Sequence, residues 1–170
     1  QNGKQAEHPF DWQCPFFRSV IYIVLFTAWG ISVRRRIIQS QVRRYLTAIS
    51  VLMVFWMTAR TIRHIIAEDP WVLRHLWYLY YLPMLFIPML AVFVALSLGK
   101  PENYRLPNWT KLIYIPTTVL LLLVLTNDLH QLVFRFPEDA VVWMDDYRYG
   151  IVYFLTVGGM VLCALTALVI

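Results

Sequence analysis

An all-α, polytopic membrane bundle follows from three features of this chain. Of its 170 residues, 59% are hydrophobic and 15% charged, where an ordinary soluble domain holds roughly 45–50% and 25%. Five long apolar runs recur along it, and five arginines cluster between the first two. A mean hydropathy of +0.57 leaves too few polar residues to cover a water-facing surface, so the solvent for much of this chain is lipid. Disorder and most soluble folds are excluded.

The runs cover residues 16–33, 45–66, 71–98, 109–134 and 149–170, each close to or above the roughly 20 helical residues that cross a hydrocarbon core about 30 Å thick. Inside a bilayer the backbone must bond to itself, which admits helices or closed barrels. Val119 to Leu125 is continuously apolar, without the two-residue alternation of a barrel strand. The first run is no cleaved signal peptide, because its basic cluster follows the apolar stretch instead of preceding it. In the second, Arg60, Arg63 and His64 recur at helical spacing and share a face. The third carries Pro83 and Pro88 beside Tyr78, Tyr80 and Tyr81; each proline removes a backbone donor, which kinks a helix and opens a pocket or hinge beside the rings. The fourth ends in Thr126-Asn127-Asp128-Leu129-His130-Gln131. Continued as a helix, it sets Asn127, His130, Gln131 and Phe134 on one face and Asp128 and Arg135 on another. The fifth places Gly159, Cys163 and Ala167 four apart, a strip where another helix can approach closely.

Orientation comes from the connections. The linker from Arg34 to Arg44 holds five arginines and no acid, and that from Gly99 to Lys111 holds Lys100, Arg105 and Lys111 against Glu102. Basic loops stay in the cytoplasm, so the N-terminus is expected outside. The other nine acids, among them Glu68, Asp69, Asp128, Glu138, Asp139, Asp145 and Asp146, then fall on the outer side. Trp71, Trp77, Trp143, Tyr147 and Tyr149 would line the outer interface, and Tyr104, Trp109 and Tyr114 the inner one. Residues 1–15 are expected as an extracellular segment and 16–170 as the helical bundle, with residues 135–148 long enough to form an outer lid. No basic anchor follows Ile170, so the native chain is expected to continue.

The net charge of +5 does not point to nucleic acid, since the arginines stand where a membrane protein places its anchors and no aromatic-basic platform accompanies them. Cys14 and Cys163 cannot form a disulfide framework. Catalytic motifs are missing: no H-E-x-x-H, no C-x-x-C, no G-x-S-x-G, and no glycine-rich phosphate loop. Asp128 and His130, two apart, diverge on a helix and would share an ion only if the helix ended there. No catalytic residue, metal or cofactor is expected.

Ionisable and polar groups within spans are costly and mark function by default. Arg60, His64, Tyr78, Tyr81, Asn127 and His130 are therefore the candidate ligand-binding residues, expected to meet in one outward-facing cavity between the second, third and fourth helices. The competing reading is interhelical hydrogen bonding that holds the bundle together, at about 0.6 kcal/mol per bond.

One stretch carries a more specific signal. Ile115-Pro116, a leucine-rich run, and then Leu125-Thr126-Asn127-Asp128-Leu129-His130-Gln131-Leu132-Val133-Phe134 resemble the N-terminal seven-helix membrane region of bacterial histidine kinases and related sensors, where a helix opens with proline and ends in Thr-Asn-x-x-His. The resemblance implies that the chain supplies the first five of seven helices, that it lies in the bacterial inner membrane, and that a kinase output follows in the cytosol. The expected function is a membrane input domain that binds a small extracellular or membrane-borne ligand and relays helix movement inward. A small transporter or transporter subunit, and less so an intramembrane metal-dependent hydrolase, are the alternatives. Expected partners are the lipid bilayer, an unidentified small molecule and a second copy paired through the membrane helices, with no nucleic acid.

Overall fold

A computed structural model describes residues 15–65, 70–101, 104–136 and 147–170. Helix α1 spans Pro15–Arg36 and α2 Ser40–Ile65. Next come α3 (Pro70–Leu79) and α4 (Tyr81–Ser97), then a 3₁₀ turn over Asn108–Ile113 that feeds α5 (Tyr114–Leu125). A single turn, α6 (Asn127–His130), precedes strand β1 (Phe134–Arg135). Strand β2 (Arg148–Tyr149) leads into α7 (Ile151–Val169). Among the described residues five helical stretches are long and apolar enough to cross a membrane: Phe17–Arg36, Ser40–Arg63, Pro70–Ser97, Asn108–Leu125 and Ile151–Val169. The expected N-terminal segment up to Cys14, the acids Glu68, Asp69, Glu138, Asp139, Asp145 and Asp146, the ring of Trp143, most of the outer lid and the side chain of His64 lie outside the described residues.

Apolar side chains cover the outside as well as the inside. Val24, Leu25, Val51, Leu122, Phe154, Leu162 and Leu168 are all more than half exposed, which is stable only when lipid is the solvent. Polar side chains in the spans fold back onto carbonyls of the preceding turn. Thr61 bonds Met57, Ser97 bonds Phe93, Thr117 bonds Ile113 and Thr156 bonds Val152, so each of these four hydroxyls is paired within hydrocarbon. Ser50 instead reaches across, its Oγ donating to the Phe26 carbonyl at 2.7 Å. The two helices meet there because Gly30 has no Cβ; one would collide with Ser50.

Helix α2 packs chiefly on α1 and α4, and α4 on α7. One buried cluster, around Met89, Leu90, Phe93 and Leu106, lies toward the Arg34–Arg44 end, and another surrounds Tyr78, Tyr81 and Phe134 at the opposite end. At the basic end Gln39 Nε2 donates to Ser97 O at 3.1 Å, tying the first connection to the foot of α4.

Two boundaries differ from the sequence expectation. The run 71–98 is one span but two helices, broken at Tyr80. Pro83, in the first turn of α4, has no N–H for the Leu79 carbonyl, and Tyr80 N bonds Trp77 O at 3.2 Å in a tightened turn. The run 109–134 stops being a regular helix at Leu125. Thr126 leaves helical geometry at φ −97°, ψ 15°, α6 adds one turn, and Gln131 closes it in the left-handed region at φ 49°. Phe134 therefore belongs to a strand, and the face expected to unite Asn127, His130, Gln131 and Phe134 on a helix does not form.

A polar latch and aromatic cage at one end of the bundle

The helix end after Leu125 is made by side chains that compete with the helical backbone. Thr126 Oγ1 donates to Leu122 O at 2.7 Å. Asn127 turns its amide onto the chain ahead: its Oδ1 accepts from Val133 N at 2.9 Å and Phe134 N at 3.0 Å, and its Nδ2 donates to Phe134 O at 2.9 Å. The second Nδ2 proton goes to the Tyr78 hydroxyl at 3.3 Å. That exhausts the two donors and two lone pairs of an amide, and Asn127 is fully buried. His130 Nδ1 accepts from Leu132 N at 3.0 Å while its Nε2 lies 3.3 Å from Thr126 Oγ1, and Gln131 Oε1 accepts from Phe136 N at 3.3 Å.

The turn held this way delivers Phe134 into the bundle. Its ring, fully buried, lies 4.4 Å from Trp77, 5.8 Å from Tyr81 and 5.7 Å from both Tyr147 and Tyr153, and stacks on Tyr78 within 10° of parallel. Strand β1 pairs antiparallel with β2, Phe134 opposite Tyr149 and Arg135 opposite Arg148. Gly150 N donates to Val133 O at 2.7 Å. A Cβ at position 150 would run into the Leu132 carbonyl, so only glycine admits this crossing.

Asp128 joins the turn to α3. Tyr78 Oη donates to Asp128 Oδ1 at 2.7 Å, Arg74 Nη1 lies 3.5 Å from the same oxygen, and His75 Nε2 lies 3.7 Å from Oδ2. His75 Nδ1 is 2.9 Å from Trp71 O, a pairing that requires the proton on Nδ1 and leaves Nε2 toward the carboxylate. The Arg74 guanidinium also covers the Phe136 ring at 4.6 Å. These three side chains are about one-third exposed, in contrast to the buried Asn127 and Tyr78. Tyr147 sits beside them, outside the spans. Its hydroxyl shares a hydrogen bond with Tyr149 at 3.3 Å, which together with burial pushes its pKa up to about 12.

Of the six expected site residues the structure brings Tyr78, Tyr81 and Asn127 together around Phe134, with His130 in the adjoining turn. Arg60 is placed elsewhere: it lines a cavity of about 200 Å³ with Arg18, Ser19, Tyr22 and Met57, between α1 and α2. Arg60 thus sits against residues of α1, whereas Asn127 lies in the turn that follows α5. Arg74, His75 and Asp128 are the members sequence reasoning passed over. A carboxylate at the end of one span and an Arg-His pair at the start of another was the available signal. Among the described residues no three His, Cys, Asp or Glu side chains converge as metal ligands.

Fold and site together define a multi-pass helical membrane domain with a polar, aromatic-lined end. Residues 16–170 match the family model for the N-terminal 7TM region of histidine kinase, and the chain belongs to that family. No curated protein and no solved structure matches it.

Proposed function

We propose that the chain is the sensory input region of a histidine kinase, and that the latch formed by Asp128, Tyr78 and Asn127 is its ligand-responsive element. The observation that carries this reading is the Tyr78–Asp128 hydrogen bond of 2.7 Å, which couples α6 to α3 two residues before the break at Tyr80. A small polar ligand arriving from the outer side or from the membrane meets Asp128, Arg74, His75 and His130 at the rim. Asn127, Tyr78 and Tyr81 support them and become contacts when the turn moves; Arg60 and His64 then serve a second, separate approach. Differential affinity for two arrangements of the turn is what shifts the equilibrium between them, and the broken span passes the difference to α4 and on to the cytosolic side.

Autophosphorylation of the full-length protein in native membranes tests this. Asp128→Asn and Tyr78→Phe each change basal activity several-fold at unchanged membrane yield, while Thr58→Ala, which removes an exposed hydroxyl bonded to Val54 O within α2, does not. Wild-type activity in both latch variants overturns the reading. The transporter alternative draws less support, because the mid-span stretches Val51–Trp56 and Val119–Leu125 are apolar where transporters carry their sites; flux in proteoliposomes is its test.

A further inference from the structure

At the opposite end of the bundle two cavities adjoin through one arginine. The first, of about 890 Å³, is lined by Arg44, Arg105 and Lys111 with Ser40, Tyr45 and Asn108. The second, of about 780 Å³, has Arg34, Arg43 and Arg44 at its rim and then runs along apolar Val51, Leu52, Phe86 and Leu90. Arg44 lines both, and no acid is among the described lining residues of either.

This end is built. In the orientation that satisfies both its groups, Gln41 Nε2 donates to Tyr104 O at 2.6 Å and Oε1 accepts from Leu106 N at 3.3 Å, closing the α4–α5 linker onto the first turn of α2. Lys111 Nζ donates to Asn108 Oδ1 at 2.9 Å, and Arg43 Nη1 donates to Ile37 O at 3.4 Å, which positions these cations.

A cationic pocket that opens into an apolar groove parallel to the spans matches an amphiphile with an anionic head and a hydrocarbon tail. We infer that α2, α4 and α5 form a binding site for one anionic phospholipid, its phosphate at Arg44, Arg105 and Lys111 and an acyl chain along Val51, Leu52, Phe86 and Leu90. Charge selects the head, since basic pockets at the membrane surface prefer anionic lipids. The groove selects a lipid over a free anion. Val51, 62% exposed, leaves the groove open to the bilayer.

The test is competition for fluorescent phosphatidylglycerol bound to the full-length protein in a neutral maltoside detergent. Unlabelled phosphatidylglycerol displaces it at least ten-fold more effectively than phosphatidylcholine, and inorganic phosphate does not displace it. Arg44→Gln and Lys111→Gln each weaken binding about five-fold, and Val51→Trp, which fills the groove, weakens it as well. Arg35→Gln, which removes an arginine that lines neither cavity, leaves affinity unchanged. Three results overturn the site: equal displacement by the zwitterionic lipid, displacement by inorganic phosphate, which marks a free-anion pocket, or equal losses in Arg35→Gln and Arg44→Gln, which mark a diffuse surface charge. If Arg44→Gln does not elute as wild type, Lys111→Gln and Val51→Trp decide.

Discussion

Asn127 holds both backbone groups of Phe134, accepting from its N–H at 3.0 Å and donating to its carbonyl at 2.9 Å. One side chain thus substitutes for the helical hydrogen bonds that the chain gives up after Leu125, and the ring it delivers becomes the centre of the aromatic cage. Removing it exposes several buried groups at once. Asn127→Ala leaves Val133 N–H, Phe134 N–H and the Phe134 carbonyl without partners, and an unsatisfied buried group costs about 1–3 kcal/mol. Asn127→Asp keeps the shape but loses both donors and adds a second carboxylate beside Asp128. Both variants therefore melt on the order of 5 °C or more below wild type in detergent, measured as loss of the monodisperse chromatographic peak on heating. Thr58→Ala, which removes an exposed hydroxyl bonded only within its own helix, melts with wild type.

Glycine substitutions separate packing from propensity. Gly150→Ala drives a methyl group into the Leu132 carbonyl, backbone that has no flexible end to yield, so the β1–β2 crossing opens and stability falls by roughly 1–3 kcal/mol. Gly158, inside α7, has nothing within 4 Å of the same position. Gly158→Ala gains up to about 1 kcal/mol of helix propensity and melts at or above wild type. The same thermal assay reads both.

The five spans are legible in sequence because apolar length and the position of basic linkers are local properties. The latch is not, and the reason is specific. Thr126-Asn127-Asp128-Leu129-His130-Gln131 contains no glycine or proline, so helical periodicity carries the pattern through to Phe134. What ends the helix is the return of the Asn127 amide to Val133 and Phe134, with Gln131 in the left-handed region. Such a contact is invisible until the turn exists. Arg60 shows a related limit: spacing tells which residues share a face, while the close approach of α2 to α1 rests on Gly30 of α1 meeting Ser50 of α2, a contact that spacing does not reveal. Tyr78, Tyr81 and Asn127 were findable as polar groups near span ends. Asp128 was not assigned with them because its grouping with Tyr78 depends on that same turn.

Tyr147 provides a pH readout of the cage. Its hydrogen bond with Tyr149 and its burial favour the neutral phenol, which sets its pKa near 12 against about 10 for a free tyrosine. A group whose folded pKa is raised contributes stability that is fully present below pH 10 and is lost as pH rises through 12. The difference in phenolate absorbance between wild type and Tyr147→Phe is expected to titrate near 12, and Tyr149→Phe should move that step down. A Tyr147 step at 10 in otherwise wild-type protein contradicts the contact.

Pro83 tests whether the break at Tyr80 is chemical or imposed by packing. The ring denies a donor to the Leu79 carbonyl in the first turn of α4. Pro83→Ala restores the donor, and a recovered backbone bond of about 1 kcal/mol slows amide exchange across residues 79–84 about five-fold. Relaxing the tightened turn at Tyr80 shifts Tyr78 relative to Asp128 and changes autophosphorylation of the full-length protein in the same direction as Tyr78→Phe. Pro88→Ala, in the interior of α4, also restores a bond but leaves the Tyr78–Asp128 contact in place. Its exchange protection rises around residues 84–88 while output stays at the wild-type level, so equal effects of the two substitutions on output would assign the coupling to the whole of α4 instead of the break at Tyr80.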